Sequence, residues 1–397
     1  MIGERLKEAR LLAGLTQDQV VQQLADRGYP LSKAGLSKYE RSISTPNAQI
    51  LLQLGRILGV KASYFKREYG VDIQWIAFRK HASLARNQQE RIKAMAHKEA
   101  EEHIGLWETF YPDRHPDFPA KMEVCNFDDV EKAAMSLRSH WGLINVPLES
   151  IVELVEDKGG IVIQTSSAEG DFDGLSGWAN ERYPVIVNSG AVSDDRRRFN
   201  VAHELAHLLL DCENHSEDQE KIAHRFSAAF IVPSEAAFRE LGRTRRNISL
   251  DELALLKRKY GLSIQAWIRR ALDLGIITRG HYTALFKLLS KKGWRKAEPN
   301  PFCGKEDPII LRQMRERGRA EGITSATAQN DYTVSSNAES TSEREYPSAV
   351  ELMKLSRKER KQFLAKAVTE VADEYVRNQE LTAFEAFGEK DLFDEPE

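Results

Sequence analysis

Two histidines four residues apart on an amphipathic helix constrain this chain more than any other feature. Residues 203–207 spell H-E-x-x-H, and an α-helix places positions i and i+4 on one face. Phe199, Ala202, Leu205, Leu208 and Leu209 form a core-facing stripe around the motif, so a helix is predicted over 196–212. His203 and His207 can then reach one zinc ion, with Glu204 beside that face to take a proton from water. A catalytic zinc site needs three protein ligands and one open position, so the third ligand comes from another element. The next predicted helix, 217–231, offers Glu220 and His224 on one face. With Glu220 as ligand the site is 2-His-1-Glu, and His224 is free to donate a hydrogen bond to an oxyanion. Alternatively, His224 is itself the third ligand.

The chain has 397 residues, enough for two or three folded units. It is 41% hydrophobic and 29% charged, which excludes a collagen-like or wholly disordered chain. The net charge of -3 hides an asymmetry. Residues 1–65 hold nine Lys/Arg against five Asp/Glu, whereas residues 378–397 hold one Lys against seven acidic residues. Opposite charge at the two ends implies different partners. Cys125, Cys212 and Cys303 are sparse and form no CxxC, which argues for a reducing compartment. The charged N-terminus lacks the apolar core of a secretory signal, and no long apolar run exists to span a membrane. A cytoplasmic protein is expected.

Glycines, prolines and capping residues divide the chain further. Residues 1–65 read as five short helices, with Thr16 and Ser32 as N-cap candidates and Gly14 and Gly59 as stops. A polar helical linker is expected over 66–124. Residues 125–300 read as α+β, with strands at 159–164 and 183–188 separated by a turn-rich segment. Residues 301–348 read as a disordered linker, and 349–397 as an acidic helical tail. The expected fold class is mainly α with a small sheet. Arg196, Arg197 and Arg198 start the H-E-x-x-H helix, where the macrodipole disfavours cations; they are read either as anchors for acidic partners or as a solvated turn. The scattered His81, His97, His103, His115, His140 and His281 are read as surface or core, and His215 as part of a solvated loop.

Residues 196–210, R-R-R-F-N-V-A-H-E-L-A-H-L-L-L, follow P-V-I-V-N at 184–188 and precede E-K-I-A-H-R-F-S-A-A-F-I-V-P at 220–233. This arrangement resembles the ImmA/IrrE family of metallopeptidases over roughly residues 125–300. The resemblance implies a zincin-like domain with His203, His207 and Glu220 as zinc ligands and Glu204 as general base. The chain departs from the family pattern at His224, where the usual residue is Asn, and at Ile222, where it is Glu. Family members cut, or are thought to cut, helix-turn-helix repressors and so switch on stress or mobile-element genes.

Residues 2–65 resemble XRE/Cro-type helix-turn-helix domains through I-G-E-R-L-K-E-A-R, G-L-T-Q-D-Q-V, L-S-K-Y-E-R and L-L-Q-L-G-R-I-L-G-V. The third helix exposes short polar and basic side chains, while Leu36 and Tyr39 face the core. Its N-terminal part enters the major groove in such motifs, which places Ser32, Lys33, Ala34, Ser37 and Lys38 near base edges. Gln17 and Arg41 suit phosphates. The 26–30 loop is longer than usual for the family, which shifts the register of base contacts. One motif reads a half-site, so double-stranded operator DNA bound by a homodimer is expected.

Through L-M-K-L-S-R-K-E-R-K-Q-F-L and a terminal L-T-A-F-E-A-F-G-E-K-D-L-F-D-E, residues 349–397 resemble short antitoxin-type proteins; such an acidic tail can occupy a toxin's active site or, as a nucleic-acid mimic, the chain's own DNA-binding face. A solubilising tail is the plainer reading. Together these features predict a DNA-binding regulator fused to a zinc endopeptidase whose substrate is a repressor, or the chain itself. The alternative is a non-proteolytic, antitoxin-like repressor that uses the metallopeptidase domain as a sensor or docking scaffold.

Overall fold

A computed structural model describes residues 2–67, 70–76, 85–143, 145–165, 172–212, 218–295 and 297–323. The first four helices are α1 (Ile2–Leu12), α2 (Gln17–Asp26), α3 (Lys33–Glu40) and α4 (Ala48–Leu58), and local capping chemistry starts the last three. Thr16 and Gln19 form a capping box on α2, Ser32 caps α3, and Asn47 caps α4. Each cap satisfies backbone N–H groups that a helix start leaves without partners. Gly59 ends α4 in the left-handed region, and a single 3-10 turn follows at Tyr64–Lys66. Leu6, Val20, Leu24, Leu36, Leu54 and Phe65 close the core of this N-terminal unit. Arg10 is buried among them and pairs with buried Glu40 at 2.5 Å.

The chain then enters strand β1 (Ile73–Trp75) and the long helix α5 (Arg86–Phe110). Strand β2 (Met122–Glu123), helix α6 (Phe127–His140), helix α7 (Ile151–Asp157) and strands β3 (Ile161–Thr165), β4 (Gly174–Ala179) and β5 (Tyr183–Ser189) follow. Helix α8 (Asp194–Leu209), the short strand β6 (Leu210–Asp211) and helix α9 (Gln219–Ile231) come next. Helices α10 (Ser234–Leu241), α11 (Leu250–Tyr260), α12 (Ile264–Asp273), α13 (Arg279–Lys292) and α14 (Ile310–Glu321) complete the described chain. The fold is mainly α with a small mixed sheet.

The sheet order is β1-β4-β5-β3, with β3 and β5 parallel and β4 antiparallel to both its neighbours. Strand alternation sends side chains to two layers. Ile161, Ile163, Leu175, Val185 and Val187 pack with Ile92, Ala96, Ala100 and Ile104 of α5. Val162 and Ile186 join the larger core with α8, α9 and the later helices.

Three segments differ from the sequence-based expectation. The region 66–124, expected to be a helical linker, contributes an edge strand and a core helix. Small Ala96 and Ala100 let α5 lie close to the sheet, and that face is too weakly apolar to stand out in sequence. Strand β4 falls in the segment expected to be turns, because its glycines mark close backbone approach rather than chain reversal. Residues 301–323, expected to be disordered, are ordered and carry α14. The expected acidic tail, 349–397, lies outside the described residues.

Carboxylates explain the order of the segment after α13. Glu298 accepts the N–H groups of Ile264 (2.8 Å) and Gln265 (3.0 Å) at the start of α12. Glu306 accepts those of Ile151 (3.0 Å) and Val152 (3.1 Å) at the start of α7. In return, Glu156 of α7 accepts Ile309 N–H (3.0 Å) at the start of α14. Negative charge at helix N-termini is favourable.

Arg197 and Arg198 belong to the same fastening and are neither a solvated turn nor an anchor for a partner. Arg198 is fully buried, pairs with Glu306 at 3.5 Å, donates to Leu148 O, and lies over the Phe302 ring. Arg197 reaches Asp307 at 2.7 Å, and only Arg196 is exposed, pairing with Asp173. Arg197 and Arg198 sit at the α8 N-terminus because their partners arrive from the distant 300–310 segment.

Burial pushes the Glu156 carboxyl up to about 7, a rise that its hydrogen bonds from Ile309 and Ile310 oppose. A folded-state value above the unfolded one stabilises fully below the unfolded value, and that contribution is lost as pH rises through the folded value. Stability should therefore fall between about pH 4.5 and 7, at no more than ~1.4 kcal/mol per pH unit from this group. In urea denaturation at pH 5 and pH 7.5, Glu156→Gln should flatten that slope relative to wild type.

Candidate metal centre

Helix α8 carries the H-E-x-x-H sequence as two faces. Val201, Ala202, Leu205, Ala206, Leu208 and Leu209 point into the core. His203 and His207 emerge from the other face with about a tenth of their side-chain surface exposed (14% and 11%). Helix α9 packs against α8 through Ile222, Ala223, Phe226 and Ala229. That contact brings Glu220, on its first turn, over the two imidazoles.

The resulting distances are short. His207 Nε2 lies 3.1 Å from His203 Nε2. Glu220 Oε2 lies 3.3 Å from His203 Nε2, and its Oε1 lies 3.6 Å from His207 Nε2. Donors bound at about 2.0–2.1 Å to one tetrahedral zinc ion lie about 3.3–3.4 Å apart. The observed edges of 3.1, 3.3 and 3.6 Å bracket that spacing. Two ring nitrogens and a carboxylate with converging lone pairs are an arrangement that a shared cation relieves, so the donor set fits a divalent metal. Among the described residues, His203, His207 and Glu220 form the one group placed to hold such an ion.

His224 does not join this triangle. It is exposed one turn along α9, with its ring stacked on Phe199 at 5.8 Å and 4.8 Å from the His203 ring. Of the two third-ligand candidates in sequence, only Glu220 faces both imidazoles.

Glu204 sits beside the triangle and is 4% exposed. Ser176 of β4 donates its hydroxyl to Glu204 Oε2 at 2.6 Å. Burial pushes the Glu204 carboxyl up to about 7, against the opposing effects of His203 and Ser176, and Glu220 and Asp173 add to the rise. A proton-transfer group works best when its pKa lies near the operating pH. Gly174, two residues before Ser176, brings β4 against the carboxyl: a Cβ there would lie 2.5 Å from Glu204 Oε1. Sequence reasoning missed Ser176 and Gly174. Their signal, a glycine–serine–glycine spacing inside a strand, was hidden by its likeness to a turn.

The residues expected to read DNA lie on and around α3. Ser32, Lys33, Ala34, Lys38 and Arg41 are exposed, and Ser37 is half-buried. The Ser32 hydroxyl accepts Gly35 N–H as the helix cap (3.0 Å), and Lys33 pairs with Asp18 (2.7 Å). Gln17 is turned partly inward, donating to Glu40 at 2.7 Å. The Arg10–Glu40–Gln17 cluster that fixes α1, α2 and α3 together was not apparent in sequence.

Comparison with known families agrees with this geometry. The Helix-turn-helix profile matches residues 6–65, and the profile of the IrrE N-terminal-like domain matches residues 156–272. No curated protein matches the chain. The chain therefore joins an XRE-type helix-turn-helix domain to an IrrE-type metallopeptidase domain, the architecture of a regulator that carries a protease-family domain. Among the described residues, no helix is long and apolar enough to cross a membrane.

The contact between β4 and α8 is tight enough to test. Gly174→Ala forces a methyl group onto a buried carboxyl and should destabilise the domain by about 1–3 kcal/mol. Urea denaturation checks this, and a change below about 0.5 kcal/mol would mean that β4 does not rest on Glu204.

Proposed function

We propose that this protein is a cytoplasmic, operator-binding regulator whose second domain is a zinc-dependent endopeptidase acting on a helix-turn-helix repressor or on the chain itself. The observation that carries the proposal is the His203–His207–Glu220 triangle with a buried carboxyl, Glu204, at its side. Zinc held there supplies Lewis-acid polarisation of a scissile carbonyl and of water. Glu204 removes the proton from the attacking water and returns it to the leaving amine as the C–N bond breaks. Ser176 holds that carboxyl in one orientation, and buried surroundings keep its proton affinity near neutrality. His224, exposed beside His203, is the donor assigned to the oxyanion. Retention of a proton-transfer carboxyl favours chemistry over a purely structural metal site, which does not need one.

The DNA side rests on the exposed α3 surface. Ser32, Lys33, Ala34, Ser37 and Lys38 are assigned to base edges, and Gln17 and Arg41 to phosphates, in a homodimer that reads two half-sites. A toxin bound by the acidic tail remains a proposal from sequence.

The chemistry separates by residue. Glu220→Ala should weaken zinc binding by at least ~100-fold, whereas Glu204→Gln should keep zinc at one equivalent. Incubation with repressors encoded beside this protein, read by mass spectrometry, should show cleavage that Glu204→Gln slows by roughly 10²–10⁴-fold. Equal cleavage by both proteins would end the enzyme assignment. For DNA, affinity should fall steeply with salt, and Arg41→Ala should lower the slope of log K against log salt by about one. A salt-independent affinity in electrophoretic shift assays would remove the operator assignment.

A further inference from the structure

Strand β4 is the part of the sheet that touches the metal centre, through Ser176 and Gly174 on Glu204. One of its edges is paired with β5 along its whole length. Its other edge is where an extended peptide would lie, since strand addition gives main-chain hydrogen bonds regardless of side-chain sequence. That edge already has an occupant. β1 pairs antiparallel with it, Ile73 opposite Ala179, Gln74 opposite Trp178 and Trp75 opposite Gly177. The ladder extends to Ile76, whose N–H donates to Ser176 O at 3.0 Å. The last described rung therefore falls on the residue whose hydroxyl holds Glu204. Among the described residues, no strand pairs with Gly174 or Leu175 on this edge.

Other contacts show that β1 is fitted to this position. Gly177 makes room for it, since a Cβ there would lie 2.6 Å from Gln74 O and 3.1 Å from Trp75 Cα. Asn180, in the left-handed region at φ 50, accepts Asp72 N–H on Oδ1 (2.9 Å) and donates Nδ2–H to Gly70 O (3.3 Å). On the other side, the lead-in to β1 is tied to helix α5. His97 Nε2 meets Val71 O at 2.7 Å, and Glu101 accepts Gly70 N–H at 3.2 Å. The same two side chains hold the helix-turn-helix domain: His97 Nδ1 meets Glu8 of α1 at 3.1 Å, and Glu101 accepts from Arg5 of α1 at 2.6 Å. A cleft of about 700 Å³ opens beside this cluster, between α1, α5 and β1, with Glu8, Val71, Ile73, Trp75, His97 and Asn180 among its walls.

We propose that β1 is an autoinhibitory strand: the segment joining the DNA-binding domain to the peptidase domain occupies the edge of β4 on which an extended peptide substrate docks. It rests on the peptidase assignment above and adds its regulation. A peptide and β1 cannot share the Ser176–Ala179 edge, so substrate binds only when β1 leaves. Because α1 and the lead-in to β1 share Glu101 and His97, whatever loosens α1 from α5 also loosens β1. The repressor substrate is accordingly recognised as an extended segment and not as a folded domain.

The test uses the full zinc-loaded chain in two forms that leave the β4 edge intact. Asn180→Gly keeps the left-handed backbone and removes both side-chain anchors, which should release β1. Ile73→Cys with Ala179→Cys joins a directly opposed cross-strand pair by a disulfide and should lock it, reversibly with reductant. Three quantities are followed: hydrogen exchange at the Ile76 amide, binding of a fluorescein-labelled G-V-D-I-Q-W-I peptide by anisotropy, and cleavage of unfolded labelled casein. Asn180→Gly should raise amide exchange and peptide affinity by roughly tenfold, the value of one or two side-chain hydrogen bonds, with faster cleavage. The disulfide form should lose peptide binding until reduced. The proposal is overturned if peptide affinity is the same in the locked and reduced forms, or if Asn180→Gly accelerates exchange with no gain in peptide binding. Peptide binding that follows β1 while no form cleaves casein or repressor supports the strand proposal and overturns the peptidase assignment instead.

Discussion

The packing of α8 on α9 sets the distances between Glu220 and the two imidazoles of the candidate metal centre. His203 and His207 are fixed relative to each other by helix geometry alone, but Glu220 reaches them only because the second helix lies close enough. Ala202, Ala206, Ala223 and Phe226 of the two helices are buried in one shared core, and the small alanines among them permit a close approach. One turn of α9 then separates a carboxylate in the triangle from an imidazole outside it. The crossing of the two helices, not the list of candidate ligands, therefore selects Glu220 over His224 as the residue that faces both imidazoles.

A second theme is the pairing of buried charge over long sequence distances. Arg198 with Glu306, Arg270 with Glu131, and Lys257 with Asp195 and Glu298 each join elements that are far apart in the chain. Breaking such a pair leaves an uncompensated charge and is costly, which gives these contacts a strong say in which segments order. Glu298 and Glu306 also cap helices, so the segment after α13 wraps the domain as a strap held by its carboxylates. The same reasoning applies at the N-terminus, where Arg5, Glu8, Glu101 and His97 join the helix-turn-helix domain to α5. The helix-turn-helix domain and the lead-in to β1 thus share one continuous charged cluster.

The legibility of the sequence followed the range of the physics. Helix starts were legible because Thr16 and Ser32 act on N–H groups three residues away. The strands at β3 and β5 were legible from their unbroken β-branched runs. Strand β4 was not, since Gly174 and Gly177 are explained by what stands next to them in space: Glu204 and β1. Helix α5 was read as a linker because its buried residues include Ala94, Ala96, Ala100 and His103 among the larger apolar ones, which leaves its apolar stripe weak in sequence.

Sequence by itself determined that two imidazoles and a neighbouring carboxyl share one helix, and that a basic helix-turn-helix domain precedes them, because these depend on local periodicity and composition. Tertiary structure alone decided that Glu220 and not His224 faces the imidazoles, that Ser176 holds Glu204, that Arg197 and Arg198 are internal fasteners, and that the interdomain strand lies along the sheet edge at the site. Those outcomes depend on how close two distant backbones come and on which buried charges find a partner, and neither quantity is encoded in any one stretch of the chain.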